Sequence, residues 1–239
     1  KGTAAAPAQP APTDTSLWAI LLTPTVIGVA LLNFFSYWST SLKVAWLPTY
    51  LAEGLGYGTL ETGRLVAIPY ATAAIFSITA GFVSNALYQR GRSARISRGY
   101  LAGGLVIGAG ASMWGFTVVG EGLVQMVLVV LAFSLNTASI GVGFTALGDL
   151  IPVSKRAAVM GLIVAISSMA GILSPLLIGF TAGGAANTVE GFEKGFGFVG
   201  IMMVIGALVA TYFIRPDQDV KNLRARQEAK ALAACSKVS

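Results

Sequence analysis

Asn33, Ser36, Tyr37, Thr40 and Lys43 carry the polar chemistry of the first long apolar run. At helical spacing they fall within one stripe, which puts an amide, three hydroxyls and an ammonium on one side of a hydrophobic helix. Lipid does not tolerate such a face, so it must look onto protein or a watery cavity. Hydrogen-bond donors beside one fixed positive charge suit the holding of an anion. The other reading of Lys43 is an anchor near a helix end, its ammonium snorkelling to the headgroups.

Bond-making chemistry is not supplied. The chain has no His, and its one Cys, Cys235, lies in a polar C-terminal stretch. Cys/His metal sites and internal disulfides are thereby excluded. No Asp or Glu is expected well inside an apolar segment, Asp149 falling at the end of the fourth. Without a nucleophile–base pair or a metal cluster, neither an enzyme nor a cofactor is expected. A proton-coupled carrier normally needs an acid in its path, so that acid must come from another polypeptide or another half. Further polar candidates are Tyr70 in the second segment, Asn136, Ser139 and Thr145 in the fourth, and Ser167, Ser168 and Ser174 in the fifth. Helical Ser and Thr usually bond their own carbonyls. Asn136 has a stronger claim, because an amide in lipid must find partners. A route-lining role and an interhelical hydrogen bond would each satisfy it.

These side chains are carried by a chain of 239 residues, 55% hydrophobic and only 11% charged. A water-soluble domain carries about 25% charged residues, so this is an all-α integral membrane protein with the lipid bilayer as its solvent. Six apolar segments, each near the ~20 residues that cross a bilayer, are expected at Pro24–Ala52, Thr62–Tyr88, Gly99–Val119, Leu123–Leu150, Arg156–Ala182 and Gly195–Ile214. Pro48, Pro69 and Pro175 are tolerable kinks. Gly99/Gly103 and Gly104/Gly108 are small-residue pairs suited to close helix contact. Residues 1–16, rich in Ala and Pro, read as a linker, residues 17–214 as the membrane domain and residues 215–239 as a solvated charged tail.

The net charge of +6 lies in the loops, which makes it a topology signal and not a nucleic-acid footprint. Lys1, Arg90, Arg92, Arg95, Arg98, Lys155, Arg156, Arg215, Lys221, Arg224, Arg226, Lys230 and Lys237 fall on one side. Arg64, Lys194 and Lys43 fall on the other, with Glu53, Glu61, Glu121, Glu190 and Glu193. The positive-inside rule then puts both termini in the cytoplasm of a multi-pass protein of the cell membrane.

Three ordered patches carry a resemblance. They are Trp46-Leu-Pro-Thr-Tyr-Leu51; Ala67-Ile-Pro69 with Gly81-Phe-Val-Ser-Asn85 and the basic turn Arg90-Gly-Arg92; and Asp149-Leu-Ile-Pro152, Met160-Gly161, Gly171, Ser174-Pro175 and Gly179. Together the chain resembles the second half of a major facilitator superfamily transporter, of the anion:cation symporter family, over about residues 17–214. The resemblance implies one six-helix half of that fold, partnered by an N-terminal six-helix half on the same or a separate chain. It also implies an organic-anion substrate (sugar acid, dicarboxylate or aromatic acid) and a coupling cation, proton or sodium. Asn33, Tyr37, Thr40, Lys43 and Asn136 become the expected substrate-binding residues, and Gly81, Asn85, Arg90 and Arg92 the expected cytoplasmic gate. Two departures stand out. Asn85 replaces the acid of the gate pattern, which weakens charge pairing there. Val164 stands where many relatives carry Asn, which removes a hydrogen bond from the fifth helix. A self-contained six-span protein that dimerises as a carrier, and a non-transporting structural subunit, remain as alternatives.

Overall fold

The computed structural model describes residues 16–148, 150–185 and 187–235; the linker before Ser16 and the acid at Asp149 lie outside them. Six described helices are long and apolar enough to span a membrane. They are α1 (Pro24–Ala45), α2 (Thr59–Gln89), α3 (Leu101–Val118), α4 (Leu123–Thr145), α5 (Val153–Gly184) and α6 (Thr188–Phe213). A seventh, α7 (Pro216–Cys235), carries the tail charges, and no strand occurs among the described residues. The chain is an all-α membrane protein with six candidate spans, as expected of one six-helix half of the fold it resembles.

The helix ends follow local chemistry. Proline at the first position starts α1 with φ already set. Its far end comes at Trp46, where φ is −123°. Pro48 has no N–H and its ring crowds the carbonyl four residues back, so α1 stops short of the expected Ala52. The chain continues as a single turn, Leu47–Thr49, and a wide turn over Tyr50–Gly54. A similar wide turn, Arg95–Tyr100, leads into α3.

Two further boundaries differ by five residues or more from the sequence reading. α4 stops at Thr145 and not Leu150, because the chain beyond it tightens into three-residue turns, with Ala146 N donating to Gly143 O, Leu147 N to Phe144 O and Gly148 N to Thr145 O, each at 3.1 Å. Arg98 Nη1 donates to Thr145 O at 2.8 Å and Arg156 Nη2 to Gly148 O at 2.8 Å. α6 starts at Thr188, seven residues before the expected Gly195. Asn187 caps it by accepting from Val189 N at 3.0 Å, and Glu190 pairs with Lys194 one turn on at 2.7 Å. Those charges mark an exposed first turn, not a loop.

α1 is the hub: it packs on α4, α5 and α6. α3 packs on α4 and α6, whereas α2 leans mainly on α4, and α5 on α1 and α6. A close backbone crossing joins α3 and α6. A Cβ added at Gly200 would meet Trp114 N at 2.6 Å and Gly110 O at 2.7 Å, so only hydrogens fit there. Gly99 and Gly103 also press on α6, at Ile214 and Thr211, whereas Gly104 faces open space. α2 and α5 keep the barest sides, with 17% and 28% of their most apolar stretches buried, against 56% for α1. Most of the surface of these two helices is unpartnered in the half.

At the end near the termini, the first turn of α7 is fastened to the spans. Asp219, buried, accepts from Thr25 N at 2.8 Å and so caps α1. Asp217 accepts from Arg95 N at 3.3 Å and Ala94 N at 3.4 Å, at the start of the turn into α3. Val220 and the buried Leu223 pack against the same core.

Candidate functional site

The polar stripe of α1 divides between two neighbours. Asn33 is buried, donates to Val29 O of its own helix at 3.0 Å, and lies beside Gly143 of α4. Ser36 Oγ meets Ser139 Oγ at 3.0 Å. Asn136 Nδ2 donates to Thr40 Oγ1 at 2.8 Å and to Ser36 O at 3.2 Å, and Asn136 O accepts from Ser139 Oγ at 2.7 Å. Asn136 therefore makes interhelical bonds, but its carbonyl Oδ1 is buried with no partner. An acceptor stranded in that way costs about 1–3 kcal/mol, so it is poised for a donor.

Lys43 lies next to this cluster. Its ammonium donates to Phe133 O of α4 at 3.0 Å and reaches Thr137 Oγ1 at 3.5 Å. The ring of Tyr70, from α2, covers it at 4.6 Å. The residue is only 3% exposed, so it is not a snorkelling anchor. Its depth follows from helix geometry. Helical side chains tilt toward the N-terminus, which carries this ammonium inward from the end of α1. Phe133 is ten residues into α4, ~15 Å along the axis and half the thickness of a ~30 Å core. Every partner it has among the described residues is neutral: a carbonyl, a hydroxyl and a ring. Such partners leave most of the charge unbalanced.

Tyr37 faces elsewhere. Its half-buried ring touches Gly171 of α5, about 120° around α1 from Lys43 at 100° per residue. The α1–α5 seam beside it is stitched by the carbonyls that Pro175 disturbs. Pro175 cannot donate to Gly171 O, and Ser41 Oγ does so instead at 3.0 Å. Trp46 Nε1 donates to Pro175 O and Ser174 Oγ to Trp38 O, each at 3.0 Å. Ser167 and Ser168 bond back to their own helix, and Val164 is exposed. Thr40, Lys43 and Asn136 are thus brought together, with Asn33 deeper and Tyr37 on another wall.

Tyr70 was visible in the sequence as a polar residue of α2, but not its seat over Lys43. Thr137 and the Phe133 carbonyl were missed. A threonine next to Asn136 could have been noticed, whereas a backbone acceptor leaves no trace in side-chain pattern.

Of the four expected gate residues, Gly81 and Asn85 line a groove of about 250 Å³ between α2 and α4, toward the end that carries the termini. Arg90 and Arg92 are exposed in the turn after α2, where Gly91 has φ +77°. The guanidinium that reaches the groove is Arg98, stacked on Tyr88 at 4.5 Å.

The family model described as Major Facilitator Superfamily matches residues 1–175. The chain is 25% identical over 197 residues to the probable galactarate/D-glucarate transporter GudP of Bacillus subtilis, a match covering 80% of this chain and 41% of that protein. It is 25% identical over 192 residues to the probable sulfoacetate transporter SauU of Cupriavidus necator, covering 79% and 42%. It is 31% identical over 77 residues to the chloroplastic ascorbate transporter of Arabidopsis thaliana, covering 32% and 14%. The chain thus spans less than half the length of the curated relatives it matches. All three are named as transporters, not enzymes.

Proposed function

The chain belongs to the major facilitator superfamily, and from that premise we propose that it is the C-terminal half of a secondary carrier for small organic anions. Its expected partner is an N-terminal six-helix half, on the same or a separate chain, set against the bare sides of α2 and α5. Transport proceeds by rocking of the two halves about a midplane site. The relatives named for galactarate/D-glucarate, sulfoacetate and ascorbate support a sugar acid or a related small acid as substrate. Coupling to a proton or sodium rests on the resemblance alone, and an acid for that purpose would come from the other half.

One observation carries this reading: the ammonium of Lys43, at mid-membrane depth, is held by neutral groups alone among the described residues. A charge so placed gains from an anion what the chain itself does not provide. Tyr70, 46% exposed, covers it and moves aside or clasps the incoming carboxylate. Thr40 and Asn136 Oδ1 offer hydrogen bonds to substrate hydroxyls, with Asn33 behind them and Tyr37 on the α5 side. Gly81, Asn85, Arg90 and Arg92 serve the cytoplasmic gate, joined by Arg98.

Reconstitution tests the proposal. Liposomes containing the chain together with its N-terminal half should accumulate labelled D-glucarate, sulfoacetate or ascorbate in response to a proton or sodium gradient. Liposomes with the purified chain alone should not. Saturable uptake by the chain alone, shown to be monomeric, would refute the half-carrier assignment; uptake by a dimer would support the self-contained alternative.

A further inference from the structure

We propose that the groove between α1 and α6 is a binding site for one anionic phospholipid of the leaflet on the side of the termini, with its phosphate on Arg215. The groove, about 360 Å³, is lined by α1 and α6 alone, with no residue of α2 or α5. Leu31 and Phe35 form one wall, and Ile201, Ile205 and Val209 the other. Its floor is Gly206, whose missing side chain lets the Phe35 ring lie against the α6 backbone.

Three features fix the occupant. The first is length: from Phe198 to Val209 the groove runs eleven residues, ~16 Å of helix. That matches the ~15 Å of hydrocarbon in one leaflet, the reach of a single acyl chain. The second is continuity. Ile201, Ile205, Val209 and Tyr212 follow at helical spacing, and all are exposed. An apolar stripe therefore leads from the middle of the membrane to the aromatic ring at its boundary. The third is charge at the mouth. The guanidinium of Arg215 lies over the Tyr212 ring at 4.7 Å, and its Nε donates to Tyr212 O at 3.2 Å. That fixes the fork while its two Nη groups, which have no hydrogen-bond partner among the described residues, remain for a phosphate. The nearby carboxylates do not compete, because Asp219 caps α1 and Asp217 is bonded to Ala94 N and Arg95 N. Arg95, stacked on Tyr100 at 5.3 Å, adds positive charge from the wide turn before α3. A neutral lipid would fill the groove but forgo the phosphate-directed selectivity for net negative headgroups.

Native mass spectrometry of the purified chain, titrated with phosphatidylglycerol or phosphatidylcholine of equal chain length, tests the site. One phosphatidylglycerol should bind in clear preference to phosphatidylcholine, and Arg215→Gln should weaken it about fivefold, the effect of one basic residue at a membrane surface. Val209→Trp, which fills the groove at an exposed position, should weaken both lipids. Arg226→Gln, on the exposed part of α7, should change neither. Should Arg215→Gln fail to fold, Arg215→Lys and Val209→Trp decide, the first retaining the preference and the second losing occupancy. Unchanged binding in Val209→Trp, an equal loss in Arg226→Gln, or displacement by free glycerol phosphate would each overturn the proposal. The last would make the site one for a soluble anion.

Discussion

Replacing Lys43 by Gln separates a substrate-binding ammonium from a structural one, because the two roles predict opposite changes. In the resting protein the ammonium makes one 3.0 Å bond to a carbonyl and a 4.6 Å contact with a ring, with no carboxylate among the described residues nearby. A glutamine amide retains an N–H donor for Phe133 O and removes a charge that neutral partners balance poorly. Replacing such a charge by a neutral group is commonly neutral or stabilising, so the melting temperature should not fall by more than about 3 °C, which corresponds to about 1 kcal/mol for a chain of this size. Substrate affinity should respond far more strongly. Two unit charges ~4 Å apart attract by about 4 kcal/mol at an effective dielectric constant near 20. Loss of a desolvated charge partner costs ~2–5 kcal/mol in measured cases. At 1.4 kcal/mol per decade the smaller figure is already about 30-fold. The assay pairs a thermal melt with equilibrium binding of labelled substrate, both on the complete two-half transporter at matched membrane level. An affinity within about threefold of the parent, which is under 1 kcal/mol, would refute the anion site. A large drop in melting temperature with unchanged affinity would make Lys43 a packing residue.

Other outcomes follow from the seams and the orientation. Ser41→Ala leaves Gly171 O without the donor that Pro175 cannot provide, so thermal melting should show a loss of about 1–3 kcal/mol. Gly200→Ala pushes a methyl into the Gly110 and Trp114 backbone and should abolish stable membrane expression, whereas Gly104→Ala, facing open space, should express normally on the same immunoblot. Cysteine introduced at Asn187 should react with an impermeant maleimide on intact cells and one at Ser93 should not; the reverse pattern would invert the topology. Asp219→Ala removes the cap from α1 and should lower stability by about 0.5–2 kcal/mol, read by chemical denaturation in detergent.

Hydropathy made the six spans legible, because in lipid every backbone polar group must be paired within a helix. The ends were legible only where the signal was local. Proline starts α1, and Asn187 with the Glu190–Lys194 pair starts α6, yet charged residues there looked like loop. The end of α4 was hidden, since Arg98, which bonds its last carbonyl, and Arg156, which holds the turn after it at Gly148 O, belong to other elements. The candidate site was half visible. Periodicity showed that α1 has a polar face, and Asn136 that α4 has one to meet it. A helical stripe does not say which neighbour each residue meets, and Tyr37 and Lys43 proved to face different helices. The lysine's main partner is a backbone carbonyl, for which every residue type is equivalent.

The cap on α1 has a temporal consequence. Asp219 lies 194 residues after the amide it caps. At ~5–20 residues per second, ribosomes need roughly 10–40 s to make that much chain. For all that time the first span resides in the bilayer with Thr25 N turned to solvent. A helix made after all six spans closes the first of them. Tightening of the first of these spans therefore waits for synthesis of the sixth and of the turn beyond it, and a chain cut short after Ile214 would insert all six spans and still leave Thr25 N uncapped.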